Sequence, residues 1–445
     1  LHDNCSRTAS RPRQTMKILL VNTSGKTGGA AIAASRLMAT LNRNGVDATM
    51  LVADGETRRN GAVASLPCRL RHKWNFLSER LLLYVSQNFS RKHLFDIDPA
   101  MTGTDITRLP EFSEADVIHL HWVNQGFLSL RDIRHILESG KPVVWTMHDM
   151  WPFTGVCHYV HSCDHYKRQC GNCPLLAHRG LGDLSHRIWR RKQAVWSRFP
   201  RLTFVACSKW LAQTAVGSPL VGGHKVLNIV NPIDCELYSP RNKAEARQAL
   251  GLSAGNKKLI LFCAYNVMLP IKGLAYLKEA LEMLVGISPE LKEQLGVVMV
   301  GKGSETAGAD FPVETFPMGF VTDEHRKATI YNACDVFAIP SLQDNLPNTI
   351  VEAKASGLPV IGTRVGGIPQ MIEHGVDGCL VAPQDSAELA EALKWMLCEA
   401  NLDRMSEQSR LDAQKQYSEQ TVARRYMECY RSLMEEHRQS FTEKQ

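Results

Sequence analysis

The chain has 445 residues, 44% hydrophobic and 22% charged, with a formal net charge of +7 at pH 7. That length exceeds one ordinary core and fits two domains, the apolar share excludes a disordered chain, and no run of about eighteen apolar residues is present to span a membrane. The mild basic excess favours anionic partners such as nucleotides, phosphates or a membrane surface; it is too small to imply nucleic acid, for which no basic-aromatic reader motif is present.

Residues 1–15, LHDNCSRTASRPRQT, are polar and basic with no apolar stretch of the kind an export signal needs. They are expected to form a disordered leader, and the reducing cytoplasm is the expected compartment. That compartment argues against a disulfide framework for the thirteen cysteines, and those inside apolar runs read as small buried hydrophobes.

From Met16 the chain alternates short apolar runs with helical patterns, the signature of parallel α/β sheets. The first half predicts strands at 16–22, 47–53, 116–121, 142–149, 202–208 and 224–234, with a helix after the first strand that stops at Gly45. Gly28 and Gly29 open that helix, where backbone can approach a ligand closely. Residues 68–95 interleave Arg and Lys with Trp, Phe, Leu and Tyr. They suit either an interfacial helix pair lying on anionic lipid or an ordinary helix covering the sheet. The strand at 142–149 ends in His148-Asp149, facing the expected cleft, and His121 ends the strand before it. A polar stretch near 236–250 is the expected linker. The pattern then restarts, with strands at 257–265, 295–303, 314–320, 334–341 and 358–367, and an amphipathic closing helix from Glu419. The predicted fold is α/β: a first doubly wound Rossmann-like domain over 16–235, a second over 236–425, and a helical tail over 426–445. The site is expected in the cleft between the domains, beyond the carboxyl ends of the strands.

The most informative stretch is 338–385, AIPSLQDNLPNTIVEAKASGLPVIGTRVGGIPQMIEHGVDGCLVAPQD. A strand ends at Ser341, a loop carries Asp344, a helix starts near Pro347 and carries Glu352, and the next strand ends in Gly366-Gly367. A helix N-terminus suits phosphate, and a glutamate beside it can accept from both ribose hydroxyls. Asp344 then falls where it can hold hydroxyls beyond the phosphates.

This stretch resembles the donor-nucleotide half of the retaining GT-B glycosyltransferases of family 4. The family carries two acids with seven residues between them, after Pro-Ser and before a Gly-Pro-Val strand and a Val-Gly-Gly turn. Asp344 and Glu352 have that spacing. The first acid is usually glutamate, and Asn345-Leu346-Pro347 replaces Gly-Phe-Gly, a difference that bears on the sugar more than on the nucleotide. The resemblance implies a GT-B fold, a UDP- or GDP-sugar donor and no catalytic metal. It places Lys272, before a glycine, on the donor diphosphate. The arginine that the family adds at the end of the preceding strand is replaced by Ala264-Tyr265-Asn266, so backbone N–H groups or a first-domain residue must supply the deficit. Main chain near Phe320 and Val321 is expected at the base, and Asn345 beside Asp344 at the donor. The Gly28-Gly29 loop is expected under the diphosphate and His148 near the transferred sugar. The acceptor expected from the resemblance is a lipid-linked saccharide in surface polysaccharide synthesis, with the enzyme expected to be peripheral on the inner face of the membrane.

The stretch 156–176 holds Cys157, Cys163, Cys170 and Cys173, the last two as a C-x-x-C knuckle. Three readings stay open: a structural four-thiolate zinc site, two disulfides, or free thiols. His158, His161 and His165 are alternative ligands. Cysteine inserts of this kind resemble those of polysaccharide-assembly members such as the colanic-acid glycosyltransferases, so the segment is expected to shape the acceptor side rather than to carry the chemistry. The rival functions are a nucleotide-sugar epimerase or a phosphorylase on the same fold, and a non-catalytic nucleotide-sugar-binding scaffold.

Overall fold

The computed structural model describes residues 15–55 and 58–442. All of the expected leader except Thr15 lies outside them.

Two sheets organise the chain. The first contains β1 (Lys17–Asn22), β2 (Asp47–Val52), β3 (Arg59–Asn60), β4 (Val63–Ser65), β5 (Val117–Leu120), β6 (Val143–Met147), β7 (Thr203–Ala206) and β8 (Val226–Asn228). Their order is β3-β4-β2-β1-β5-β6-β7-β8, parallel throughout except for the β3–β4 pair. The second sheet contains β9 (Lys258–Asn266), β10 (Leu295–Lys302), β11 (Glu314–Pro317), β12 (Val336–Ile339), β13 (Val360–Thr363) and β14 (Gly378–Val381). It runs β11-β10-β9-β12-β13-β14, all parallel. The central strands are buried along nearly their whole length, as a sheet covered on both faces requires.

The order in which strands are added reverses between β1 and β5 in the first sheet and between β9 and β12 in the second, although each pair is parallel. Loops leaving the carboxyl ends of such strand pairs diverge and open a crevice. The loops after β1, β5, β9 and β12 carry Gly28, His121, Lys272 and Asp344.

The structure differs from expectation at the edges. Residues 59–65 form a short hairpin at the end of the first sheet, too short and too polar to read as strands. The stretch expected as a linker holds a docked helix, Lys243–Ala249. Its Lys243 Nζ and Arg247 Nη2 reach the two oxygens of buried Asp335 at 2.6 and 3.0 Å. The closing helix runs unbroken from Glu419 to Thr442, through position 426, and returns to the first domain. Val422, Tyr426, Cys429, Tyr430 and Leu433 recur at helical spacing and are buried. Tyr426 hydroxyl meets Thr146 Oγ1 at 3.0 Å, and Tyr430 hydroxyl meets His119 Nδ1 at 2.8 Å. One apolar cluster thereby runs from Ile18 and Leu20 through the closing helix to Leu259 and Phe337 in the second sheet.

Candidate active site

On the second domain, the chain leaves β9 through a tight turn at Pro270–Lys272 and enters the next helix at Gly273. Gly273 has φ +76°, and a Cβ there would stand 1.9 Å from the Pro340 carbonyl oxygen. Glycine alone permits this approach. It lays Lys272 against the loop after β12, where Nζ meets Asp344 Oδ2 at 2.7 Å. The glycine pair after β13 has the same cause: a Cβ on Gly366 would stand 1.7 Å from the Asp344 carbonyl oxygen. The lysine, the acid and the glycine turn are thus one packed unit.

Glu352 lies one turn into the helix Asn348–Ala355 and is buried. Its Oε2 accepts from Tyr331 hydroxyl at 2.8 Å and its Oε1 from Arg36 Nη2 at 2.6 Å. Arg36 belongs to the first domain, two turns into the helix Gly29–Arg43. The same Nη2 meets Glu324 Oε2 at 2.5 Å and Tyr238 hydroxyl at 3.3 Å. Burial works against the guanidinium charge, but Glu352 above all, with Tyr238 and Glu324, outweighs it and raises its pKa. Burial likewise opposes the Glu324 carboxylate, and Arg36 and Lys327 overcome it and hold it at about 2. Asp344 and Glu352 are therefore each paired with a cation, Lys272 from the second domain and Arg36, shared with Glu324, from the first.

On the first domain, His148 stands at the end of β6. Its Nε2 meets His121 Nδ1 at 3.0 Å, the two rings stack, and its Nδ1 lies 3.8 Å from Cys207 Sγ. His119 packs on His121 with ring centroids 4.2 Å apart, and its Nε2 meets Thr146 Oγ1 at 2.7 Å. Burial, and for His119 and His121 the neighbouring imidazoles, push all three pKa values down: His148 to about 4, His119 to about 3 and His121 well below the ordinary 6.5. The column is neutral at physiological pH. It offers hydrogen bonds, not charge.

Asp149 corrects the expectation of a cleft-facing acid. It is buried and accepts from Trp122 Nε1 at 2.8 Å and from the Trp151 N–H at 2.9 Å, and it pairs with His158 Nδ1 at 2.7 Å. It anchors the β6 turn instead. Asn345 also has both ends of its amide engaged: Oδ1 accepts from Ser208 Oγ at 2.6 Å and Nδ2 donates to the His148 carbonyl oxygen at 3.1 Å. It ties the acid loop to the histidine strand. A second tie runs from Asn348 Nδ2 to the Gly29 carbonyl oxygen at 3.3 Å, so the two helix starts adjoin. Gly28, the N-cap with φ +94°, has open space where a Cβ would stand.

Between the domains an open cleft of about 550 Å³ is lined by His161, Trp210, Ile271, Leu342, Gln343 and Gly366, with Val365. This lies within the range of small-molecule sites. Farther along the second sheet, Phe320 and Tyr265 pack edge to face with centroids 5.2 Å apart. Lys302 Nζ donates to Tyr265 hydroxyl at 2.7 Å. Both rings are half exposed, and Val321 follows them.

Cys157, Cys163, Cys170 and Cys173 line one cavity of about 20 Å³, with His165 at its wall. All are free thiols. The Gly155 N–H points at Cys170 Sγ, 3.2 Å away, as N–H groups do at sulfur knuckles. Among the described residues, however, no three His, Cys, Asp or Glu side chains are drawn together as a metal-holding group. Two of the alternative ligands are placed elsewhere: His158 is committed to Asp149, and His161 lines the interdomain cleft.

Sequence reasoning missed Arg36, Tyr331, Tyr265 and Tyr159. Burial, then Asp344 and Asp149, push the Tyr159 hydroxyl pKa up. The absent second-domain arginine was the one available signal for a first-domain cation; nothing in the sequence pointed to position 36.

Residues 27–237 match the family model described as Glycosyltransferase Family 4, and residues 257–399 match Glycosyl transferases group 1. The chain is 25% identical over 333 residues to a putative colanic acid biosynthesis glycosyl transferase, WcaC, of Escherichia coli K12, covering 71% of this chain and 76% of that protein. It is 31% identical over 180 residues to a D-inositol 3-phosphate glycosyltransferase of Stackebrandtia nassauensis, covering 38% of this chain. The match spans 40% of that relative's length. Among solved structures it is similar to sucrose-phosphate synthase of Thermosynechococcus elongatus, at TM-score 0.65 and 17% identity over 94% of this chain and 99% of that one. It is also similar to Anabaena HepE solved with UDP-glucose, at TM-score 0.58 and 17% identity over 94% of this chain and 100% of that one. These structures establish the fold as GT-B.

Proposed function

The chain belongs to the family 4 glycosyltransferases, and on that premise we propose that it moves a sugar from a nucleoside diphosphate to a saccharide acceptor with retention at the anomeric carbon. The observation that supports this best is the Lys272–Asp344 pair at 2.7 Å, packed by Gly273 and Gly366 against the loop after β12. A diphosphate leaving group needs positive charge held in place before the bond breaks. Lys272 supplies it from the second domain, and the adjoining starts of the helices Gly29–Arg43 and Asn348–Ala355 add their N–H groups.

In this reading Glu352 takes the ribose hydroxyls, with Arg36 and Tyr331 fixing its orientation. Phe320, Val321 and Tyr265 take the base, uracil or guanine. Asp344 takes hydroxyls of the sugar. His148 hydrogen-bonds the reacting sugar as a neutral imidazole by giving up the contact of its Nε2 with His121. The bond from the anomeric carbon to the phosphate oxygen breaks, and an acceptor oxygen bonds on the same face. The acceptor proton passes to the departing phosphate oxygen, which stays held by Lys272. An oxocarbenium-like transition state is common to glycosyl transfer.

The similarity to a putative colanic acid biosynthesis enzyme directs the acceptor search to polysaccharide synthesis; a lipid-linked acceptor at the inner face of the cell membrane is part of the same proposal. The reading also includes a structural zinc on Cys157, Cys163, Cys170 and Cys173. The donor set and the knuckle suit it, the sulfurs must close on the cavity they line, and the ion would supply folding stability rather than catalysis. Metal analysis of the purified chain checks it: about one zinc per chain, lost in Cys173→Ser, supports it, and a zinc-free protein with four titratable thiols rejects it. Turnover of UDP- and GDP-sugars against saccharide acceptors, with proton NMR of the product's anomeric configuration, tests the function. Transfer with retention supports it. Binding without transfer indicates a scaffold, and sugar conversion without acceptor indicates an epimerase.

A further inference from the structure

The helix Arg69–Ser86 is inverted relative to an ordinary surface helix. Leu70, Trp74, Leu77, Leu81 and Val85 are spaced by four, three, four and four residues, one stripe along its length. That stripe faces outward, each member 50% to 71% exposed. The buried positions include two charged ones. Arg80 Nη2 is paired with Asp98 at 2.8 Å, and Glu79 accepts from the Met101 N–H at 2.8 Å. Phe89 and Phe95, just beyond the helix, are also exposed. A face of this size on a soluble protein marks a contact surface.

The charges around the stripe choose among its occupants. On a helical projection Arg71 flanks it on one side and Lys73 on the other, and both are exposed. Arg69, Arg91 and Lys92 are exposed as well. Glu79 is the sole acid between residues 68 and 95, and it is buried. A second copy of this face would set these cations against their like. An anionic bilayer matches both features: apolar side chains enter the acyl boundary while Lys and Arg stay with the phosphates.

Position ties the stripe to the cleft. The loop after β5 runs beneath this helix, and a Cβ on Gly126 would stand 2.6 Å from the Phe76 nitrogen. That loop leaves β5 and begins at His121. At the far end, Gln87 Nε2 donates to the Leu175 carbonyl oxygen at 2.7 Å, and the Ala177 N–H donates to Gln87 Oε1 at 2.6 Å. The helix and the cysteine segment form one cap on the acceptor side.

We infer that the outward face of the helix Arg69–Ser86 docks the first domain on an anionic membrane surface and sets the cleft beside a lipid-linked acceptor. This rests on the transferase reading, so binding and chemistry are tested apart. The full chain is sedimented with phosphatidylcholine vesicles, with and without phosphatidylglycerol. Wild type is expected to bind the anionic vesicles and to be released by salt. Leu77→Ser/Leu81→Ser is expected to lose binding on the order of tenfold, and Arg71→Glu/Lys73→Glu to lose its preference for anionic lipid. Both variants should keep wild-type turnover on a water-soluble acceptor and lose it on a vesicle-borne one. Equal sedimentation of wild type and variants overturns the inference. So does a lipid-free dimer that Leu77→Ser/Leu81→Ser dissolves, which makes a second copy the occupant. Vesicle binding without turnover on either acceptor leaves docking standing and removes the transferase reading.

Discussion

The two sides of the domain junction, behind the lining of the cleft, are built from opposite materials. The second-domain side is ionic: Lys272 pairs with Asp344, and Glu352 and Glu324 share Arg36. The first-domain side is a neutral stack, His119, His121 and His148, backed by Thr146 and the tyrosines of the closing helix. Arg36 is the exception, a first-domain cation spent on second-domain carboxylates. The difference fits the two ends of the proposed reaction. A diphosphate carries charge that needs a fixed counter-charge, whereas sugar hydroxyls need donors and acceptors that do not also attract phosphate. It also separates two kinds of fragility, one to charge removal and one to acid.

The largest effect is expected at Lys272. Lys272→Ala should lower kcat by on the order of 10²- to 10³-fold in steady-state assays. Its pair with Asp344 is partly exposed, so thermal stability should shift by less than about 1 kcal/mol. A variant that keeps its rate would move the leaving-group charge elsewhere.

Acid should strike the other side. In the unfolded chain the histidines titrate near 6.5, while in the fold His148 titrates at about 4 and His119 at about 3. As pH falls below 6.5 the unfolded state takes up protons that the folded state refuses, so stability falls with pH through that window. His148 alone accounts for about 3 kcal/mol between pH 6.5 and 4. His158, raised by Asp149 against its burial, works in the opposite sense and softens the slope. Thermal melts across this range check it: His119→Gln/His148→Gln should flatten the slope, and an unchanged slope would show that the stack is not its source.

Arg36→Ala comes next. It unties the domains and leaves Glu352 and Glu324 without their shared cation. A loss of about 2 kcal/mol is expected in denaturant melts, below the fully buried case because the side chain is partly open to solvent. Phe320→Ala is the mildest. Losing one face of a base platform should raise the donor KM about fivefold with kcat unchanged.

The second-domain side of the proposed site was legible because its parts are contiguous or sit at standard loop positions. Asp344, the helix start, Glu352 and Gly366 fall within a few dozen residues, and Lys272 precedes a glycine whose contact with Pro340 demands that residue type. Arg36 was not legible. Its partners lie about three hundred positions away, and only the tertiary fold brings them together. Asp149 misled for a related reason: a strand-end acid reads as cleft-facing until Trp122 and His158 claim it. The helix Arg69–Ser86 shows the same boundary. Its period is plain in the sequence, but which face turns outward depends on the Asp98 and Met101 contacts.

The most direct test of the account is calorimetric titration of UDP and of GDP into wild type and Glu352→Ala. The account predicts that one nucleotide binds wild type and that the variant weakens it on the order of tenfold or more, as loss of hydrogen bonds to a charged acceptor implies. Binding of neither nucleotide, or equal binding by the variant, would contradict the placement of the donor against Glu352.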